Sequence, residues 1–267
     1  MNAKPASHRP LALVTGASSG IGLHLSEELA AQGHDLVLVA RRESALQSLA
    51  ERLRRQGATV TVIALDLAAD PDTLTARLAA LGLHPEVLVN NAGFGLFGKH
   101  ADTDLADEQQ LIDLNITALT RLTKQLLPGM LARGRGRILN VASTAAFQPG
   151  PYMAVYYASK AYVLSYSEAL AEELRGTGVS VTALCPGPTA SGFQDRAAMQ
   201  QSALVRNKRL PSAQSVARYG VQALMRGRTV AIPGWLNCLM AQSVRFTPRR
   251  VVTRLVAFLS RPVGVAA

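Results

Sequence analysis

The stretch Leu11-Ala-Leu-Val-Thr-Gly-Ala-Ser-Ser-Gly-Ile-Gly22 decides the fold of this chain. Its apolar start is typical of a buried parallel strand, and the helical spacing of Leu25 and Leu29 follows directly. The glycines therefore lie where a strand ends and a helix begins. Such a turn directs backbone N–H groups and the positive end of a helix towards one point, which suits a phosphate. The turn predicts a nucleotide site with the candidate residues Gly16, Ser18, Ser19, Gly20, Ile21 and Gly22.

Length and composition favour one globular domain. The chain has 267 residues, of which 48% are hydrophobic, which is ordinary globular usage. No apolar run approaches the roughly 18 residues of a membrane-spanning helix, and the polar start does not resemble a secretory signal. Cys185 and Cys238 are the only cysteines, too few for a disulfide framework. We therefore expect a cytoplasmic protein.

The chain is strongly basic, with a formal net charge of +10 and a pI of about 10.2. Nucleic acid, an anionic membrane surface and an anionic small ligand could each exploit that charge. We find no helix-turn-helix and no aromatic RNA-binding motif, so we expect no nucleic-acid partner. A solvated basic surface is the favoured interpretation.

Strand and helix patterns alternate along the chain. Apolar runs at 35–40, 59–65, 86–89, 137–141, 179–184 and 229–232 follow the first strand, and helical patterns separate most of them. This alternation predicts a single doubly wound α/β domain of the Rossmann type, with a parallel sheet of about seven strands and helices on both faces. We place a flexible N-terminus at residues 1–9, the domain at 10–234 and a basic helical extension at 235–267. The irregular segment 191–209 is predicted to be a mobile lid.

Two arginines end the second strand and bear on the choice of cofactor. An acidic residue at this point would bind a ribose 2′-hydroxyl, whereas arginine accommodates a 2′-phosphate. Arg41 and Arg42 therefore predict NADP(H), the alternative being a pair of surface arginines that begin a helix. Asp66 and Leu67 follow the third strand, where the carboxylate could accept from an adenine amino group or cap a loop.

Four polar residues form the candidate catalytic set: Asn115, Ser143, Tyr156 and Lys160. Tyr156 and Lys160 are four residues apart in a helical pattern, so they share a face. A nearby ammonium favours the phenolate, and we expect it to lower the pKa of Tyr156 towards neutrality. Such a tyrosine can protonate a carbonyl oxygen or deprotonate an alcohol. Tyr157 is a rival, because it is also a helical neighbour of Lys160.

Asn115 falls inside a long helical pattern at 105–127 that ends near Pro128. Asparagine competes with backbone hydrogen bonds there and is a poor choice without a reason. Its side chain either faces water or is buried with specific partners, and the pattern leaves both open.

Taken together, these motifs resemble those of the classical short-chain dehydrogenase/reductase family over residues 11–191. The matching segments are TGASSGIG at 15–22, NNAG at 90–93, YYASK at 156–160 and PGPTAS at 186–191. Asn115, Ser143, Tyr156 and Lys160 fall where the catalytic tetrad of that family falls. One departure is Ser191, which stands where the family usually has threonine.

The resemblance implies a role for each residue. Tyr156 would be the general acid and base, Ser143 would orient the substrate oxygen, and Lys160 would bind the nicotinamide ribose. Asn115 would hold a water in a proton relay, and Asn90 would lie beside the adenosine ribose. Further cofactor contacts are implied for Ala92, Gly93, Pro186, Gly187, Thr189 and Ser191. The implied activity is NADP(H)-dependent interconversion of a carbonyl and a secondary alcohol by a homodimer or homotetramer without a metal.

The C-terminal extension predicts one more helix, which starts at Thr247-Pro248. Its apolar residues Val252, Leu255, Val256 and Leu259 are expected on one face, with Arg250 and Arg254 on another. A basic amphipathic helix can lie on an anionic membrane, or it can pack on its own domain or on a second subunit. Packing on the domain is favoured because the apolar spacing is typical of a core helix.

Two further functions compete with the oxidoreductase. A non-catalytic NADP(H)-binding regulatory protein would keep the fold, but it would have no need of Tyr156 and Lys160 together. A nucleic-acid-binding protein has only the basic charge in its favour.

Overall fold

The structure, a computed structural model, describes residues 9–190 and 210–261. Most of the flexible N-terminus predicted for residues 1–9, the lid predicted for 191–209 and the cofactor contact predicted for Ser191 lie outside these ranges.

The described residues form one sheet of seven parallel strands in the order β3-β2-β1-β4-β5-β6-β7. The strands are β1 Leu11–Thr15, β2 Asp35–Ala40, β3 Val60–Ala64, β4 Val87–Asn90, β5 Gly136–Val141, β6 Val179–Leu184 and β7 Val230–Ala231. The chain order reverses between β1 and β4, and ligands of such sheets bind at the carboxyl ends of the strands beside that reversal. The predicted doubly wound α/β fold with about seven strands is confirmed.

Helices cover both faces of this sheet. In chain order they are α1 Gly20–Ala31, α2 Glu43–Arg55, α3 Asp72–Ala80, α4 Leu105–Ile112, α5 Leu119–Ala132, α6 Ala154–Glu173, α7 Ala213–Met225, α8 Trp235–Ser243 and α9 Arg249–Ser260. The apolar stripes of α1, α2 and α7 complete one core layer, and those of α3, α5 and the end of α6 complete the other.

Successive residues of the central strands point into opposite core layers. Val14 and Leu38 pack with Leu25 of α1 in one fully buried layer. Leu13 and Val37, the neighbouring residues, pack with helices α3 and α5 in the other. Because both faces are covered, the strands have to be continuously apolar, which is why the first strand reads as an uninterrupted run.

The long helix predicted at 105–127 is wrong in two respects. It is divided into α4 and α5 by a wider π-helical stretch, Asp113–Ala118, which contains Asn115. Helix α5 also continues through Pro128 to Ala132 instead of ending there. The last turn is held in place by Met130, which is fully buried against the sheet.

The C-terminal helix begins after Pro248 as expected, but its four apolar residues do not share one environment. Val252 and Val256 are buried, whereas Leu255 and Leu259 are 56% and 40% exposed. The buried stripe is narrow because this helix touches the domain along one edge only.

Two glycines with the same backbone conformation, in the turns just before β2 and β6, allow a matched test of packing at the amino ends of the strands. Gly178 and Gly33 have φ values of 81° and 87°. A Cβ on Gly178 would overlap the carbonyl oxygen of Gly134, whereas a Cβ on Gly33 would meet nothing within 4 Å. We expect Gly33→Ala to cost about 1 kcal/mol of unfolding free energy and Gly178→Ala about 2 kcal/mol more, because only the second adds a clash. Urea unfolding of both variants measures the difference, and equal losses would contradict the close approach.

Candidate active site

The glycine turn between β1 and α1 is pressed against the end of β4. Gly16 has a φ of 65°, and a Cβ there would lie 2.7 Å from Nδ2 of Asn91 and 2.9 Å from Cα of Ala92. Only glycine fits this combination of backbone angle and close approach. The first turn of α1 contains no acidic residue, so its unpaired amides present a positive end to the cavity.

Thr15 and Asn91 fasten that turn to the sheet. The backbone N–H groups of Asn91 and Ala92 both donate to Oγ1 of Thr15, each at 3.0 Å. In return, Nδ2 of Asn91 donates to the carbonyl oxygen of Thr15 at 2.9 Å. Asn91 also lines the cavity. Our sequence analysis missed it, although the period of two along β4 places Asn90 and Asn91 on opposite sides.

The side chain of Asn90 does not line the cavity. Asn90 is 4% exposed, and its Nδ2 donates to Oγ1 of Thr123 at 3.0 Å and to Oδ1 of Asn140 at 2.9 Å. The side chain therefore points into the core between β4, β5 and α5, away from the cavity.

One cavity of about 1010 Å³ runs along the carboxyl ends of the strands. It brings together most of the predicted cofactor residues, namely Gly16, Ser18, Ser19, Gly20, Ile21, Arg41, Arg42, Asp66, Leu67, Ala92, Gly93, Pro186, Gly187 and Thr189. Ser143, Tyr156 and Lys160 line the same cavity. Gly22 and Asn115 lie behind its wall, where Gly22 packs on the backbone of Gly16.

The two arginines after β2 stand at one end of this cavity. Nη1 of Arg41 lies 3.6 Å from Oδ2 of Asp66, and Nη2 of Arg42 donates to the carbonyl oxygen of Ser18 at 3.4 Å. Arg42 thereby reaches the glycine turn itself. Two guanidinium groups beside the amides of that turn make this end suited to a phosphorylated ligand.

Ser143 and Tyr156 meet at the wall of the cavity. A hydrogen bond joins their hydroxyl groups, and Oγ of Ser143 also accepts from the backbone N–H of Ala145 at 3.1 Å. Lys160 lies one helical turn after Tyr156, with its Nζ 5.8 Å from the centre of the phenol ring. Nζ donates to the carbonyl oxygen of Val141 at 2.9 Å, which fixes the ammonium beside the end of β5.

The expected lowering of the pKa of Tyr156 is wrong for the protein alone. Burial raises the pKa of Tyr156 well above 10, and the hydrogen bond with Ser143 only partly opposes this effect. Burial also lowers the pKa of Lys160 to about 8. Desolvation is the largest effect on both groups, and the Lys160 ammonium is held by the carbonyl oxygen of Val141. At neutral pH the phenol is therefore protonated and able to donate.

Asn115 is buried with specific partners, which resolves the alternative left open by its helical pattern. It is 1% exposed, its Oδ1 accepts from the N–H of Phe94 at 3.2 Å, and its Nδ2 donates to the carbonyl oxygen of Phe94 at 3.0 Å. Nδ2 also donates to Oγ of Ser159 at 3.1 Å. The π-helical stretch re-aims this side chain towards the loop that follows β4.

Tyr157, the rival of Tyr156, also lines the cavity but makes different contacts. Its ring packs edge-on against that of Tyr156, with centroids 6.0 Å apart, and against the backbone of Gly150. The Ser143 hydroxyl is bonded to Tyr156. The geometry therefore favours Tyr156 as the proton donor.

The apolar half of the cavity comes from the C-terminal helices, which our sequence analysis did not assign to the site. Trp235, Leu236 and Met240 of α8 and Val252 and Val256 of α9 line it. Val252 and Val256 also belong to the buried cluster around Tyr156. The C-terminal segment thus forms an apolar wall of the cavity that packs beside Tyr156.

Residues 9–190 and 210–261 contain no group of three His, Cys, Asp or Glu side chains that could hold a metal ion. In the same part of the chain no helix has the length and apolarity needed to cross a membrane.

Comparison with known proteins identifies the family. The family model described as short chain dehydrogenase matches residues 10–202. A putative ketoacyl reductase of the granaticin polyketide synthase of Streptomyces violaceoruber is 42% identical over 195 residues, which is 70% of this chain and 71% of that protein. The ketoacyl reductase HetN of Nostoc sp. is 36% identical over 182 residues, 66% of this chain but only 62% of HetN.

A solved structure covers almost the whole chain. The short-chain dehydrogenase from Sphingobium yanoikuyae in complex with NADPH has a TM-score of 0.81 and 32% identity, and the match covers 97% of this chain and 98% of that one. The present chain belongs to the short-chain dehydrogenase/reductase family. The predicted family, fold class and oxidoreductase class are thereby confirmed.

The buried ammonium gives a testable pH dependence. Because the pKa of Lys160 is about 8 in the folded protein and its ordinary value is 10.5, the unfolded chain binds more protons between these values. We expect the stability of the wild type relative to Lys160→Met to rise between about pH 8 and pH 10.5. Urea unfolding across this range measures it, with Lys124→Met on the exposed face of α5 as the control. If Lys160→Met followed the wild type in parallel, the lysine would not be desolvated.

Proposed function

We propose that the protein is an NADP(H)-dependent oxidoreductase that interconverts a carbonyl compound and a secondary alcohol by hydride transfer with tyrosine acid–base catalysis. The hydrogen bond between the hydroxyls of Ser143 and Tyr156, at the wall of the cavity, carries this proposal. Two hydroxyl groups that meet at one point can hold a single carbonyl oxygen between them.

The cofactor is NADP(H). The glycine turn at the N-terminus of α1 lines the cavity, and its unpaired backbone amides, with no acidic residue in the first helical turn, suit a diphosphate. Arg41 and Arg42 would hold a 2′-phosphate, and the related Sphingobium enzyme is in complex with NADPH. When bound, the nicotinamide supplies or accepts the hydride.

The chain's own residues divide the remaining tasks. Ser143 holds the substrate oxygen, and Tyr156 donates a proton to it in reduction or removes one in oxidation. Lys160 binds the nicotinamide ribose and supplies positive charge beside the phenol. Asn115 would hold a water of the proton relay from within the π-helical stretch. The apolar wall of α8 and α9 favours a substrate with a large hydrocarbon part.

The oligomeric state that we propose rests on the family resemblance, and the cellular location rests on the cysteines. The family resemblance favours a homodimer or homotetramer, which light scattering of the purified protein would test. Cys185 and Cys238 are both free thiols, which favours a reducing compartment and hence the cytoplasm.

Removing the hydroxyl group of each tyrosine in turn shows which of the two is the proton donor. We expect Tyr156→Phe to lower kcat/KM for carbonyl reduction by about a hundredfold or more, because it removes the proton donor. Tyr157→Phe removes the same atom from the neighbouring ring and should stay within about tenfold of the wild type. NADPH oxidation with a panel of ketones measures both. A fully active Tyr156→Phe that binds NADPH would contradict the catalytic assignment, and absence of turnover by the wild type would favour the regulatory alternative.

Reversing one charge tests the choice of cofactor. Arg41→Asp should weaken NADPH binding by about tenfold to a hundredfold, because it replaces an attractive contact with the 2′-phosphate by a repulsive one. NADH has no such phosphate, so its dissociation constant should change far less. Fluorescence titration with both cofactors measures this, and Arg55→Asp at the end of α2 controls for net charge. An equal loss for NADPH and NADH would place Arg41 away from the phosphate.

A further inference from the structure

The positive charge of the chain is segregated. Residues 1–195 contain 16 Lys and Arg against 18 Asp and Glu, whereas residues 196–267 contain 12 Lys and Arg and no acidic residue. The whole excess of positive charge therefore comes from the last part of the chain. Five of these basic residues, all exposed, lie on helices α8 and α9 and the turns beside them: Arg245, Arg249, Arg250, Arg254 and Arg261.

The same segment also holds most of the exposed apolar surface. Of the 13 large hydrophobic side chains that are exposed in the described part of the chain, nine lie between Trp235 and Leu259. Trp235 is 74% exposed and Phe246 is 88% exposed. A soluble protein surface rarely gathers so many large apolar side chains in one place without a partner. We call residues 235–261 the α8–α9 surface.

Helix α9 has three stripes rather than two. The inner stripe of Val252 and Val256 packs on the domain. An outer apolar stripe contains Val251, Leu255 and Phe258, which follow one another at helical spacing and are 54%, 56% and 60% exposed. Arg250 and Arg254, one helical turn apart, lie beside that outer stripe, and the guanidinium of Arg261 lies 4.4 Å from the centre of the Phe258 ring. Packing on the domain and an outward amphipathic face are thus not alternatives in this helix, since it has both.

We propose that the α8–α9 surface docks on an anionic lipid bilayer, with its apolar side chains inserted at the headgroup level and its arginines on the lipid phosphates. Exposed Trp, Phe and Leu flanked by Arg, without any acidic residue, match an interface of this kind. A two-fold contact between two copies of this surface is disfavoured, because it would oppose five arginines to five others with no carboxylate between them.

Docking would place the mouth of the cavity at the membrane. Leu236, Met240 and Leu255 line the cavity and are also more than half exposed on the α8–α9 surface. A continuous apolar path therefore leads from the outside towards Tyr156. A lipophilic carbonyl compound could enter from the bilayer without crossing water, a consequence that rests on the proposed function, whereas the docking itself does not.

The only tryptophan of the chain, Trp235, reports on this surface. We expect mixed phosphatidylglycerol–phosphatidylcholine vesicles to shift its emission to the blue and to sediment the protein, whereas vesicles of phosphatidylcholine alone should do neither. Raising the ionic strength to about 1 M, where charges are screened beyond about 3 Å, should release most of the protein. These measurements need no substrate, so they are independent of turnover.

Paired charge reversals show whether vesicle binding depends on the α8–α9 surface or only on the net charge of the protein. Arg250→Glu/Arg254→Glu should lower vesicle partitioning by about tenfold or more, because each basic residue near an anionic surface contributes severalfold. Arg55→Glu/Arg77→Glu changes the net charge equally on exposed parts of α2 and α3 and should retain most binding. Phe258→Ser should weaken binding without a change of charge. All three variants should reduce a water-soluble ketone as the wild type does.

Three results would overturn the proposal. The first is an intact protein that binds neither kind of vesicle, and the second is an α2–α3 control that loses as much binding as the α9 variant. Alternatively, the Trp235 emission could shift with protein concentration in the absence of lipid, with Arg250→Glu/Arg254→Glu changing the mass in light scattering. That last result would assign the surface to a second copy of the chain.

Discussion

The hydrogen bonds that join the ends of β1 and β4 are the constraint on which the rest of the site depends. One threonine oxygen, Oγ1 of Thr15, accepts two successive backbone amides of the β4 turn, and the side chain of Asn91 returns a bond to β1. The paired register of β1 and β4 ends at Val14 and Val89, so these bonds continue the connection beyond the last strand pair. The bonds hold two tight turns against each other, and the resulting cleft has a rigid floor.

A second polar connection supports the catalytic side of that cleft. Nδ2 of Asn90 bonds Thr123 of α5 and Asn140 of β5, and Nδ2 of Asn140 bonds Oγ of Ser167 in α6 at 2.9 Å. Buried polar groups are costly unless they are satisfied, so such a chain fixes the elements that it joins. Helix α6 carries Tyr156 and Lys160, and α5 follows the stretch that carries Asn115. These buried bonds thus position the helices that carry the proposed catalytic residues.

How far the sequence predicts this site depends on the range of the interaction concerned. Continuous apolar runs predicted the seven strands because a sheet covered on both faces leaves no alternative pattern. The spacing of Tyr156 and Lys160 predicted a shared face for a similarly local reason. The pKa of Tyr156 was mispredicted because it depends on burial by residues that are distant in the chain. Which of the side chains of Asn90 and Asn91 lines the cavity depends on the face of the sheet towards which each one points, and the π-helical stretch has no clear signal in the sequence.

The largest omission concerned the C-terminal helices, whose contacts with the cavity span about a hundred residues of chain from Tyr156 and Ser143. That separation has a consequence for how the enzyme could change over time. The cofactor end of the cleft is built from β1 to β4, while the apolar wall belongs to a segment that touches the sheet very little. Exchange of the last few dozen residues between relatives could therefore alter which molecules are accepted while leaving the dinucleotide end intact. Substrate range would then diversify by replacement of one wall of the cleft. A fold in which the same elements bound both cofactor and substrate would not allow this.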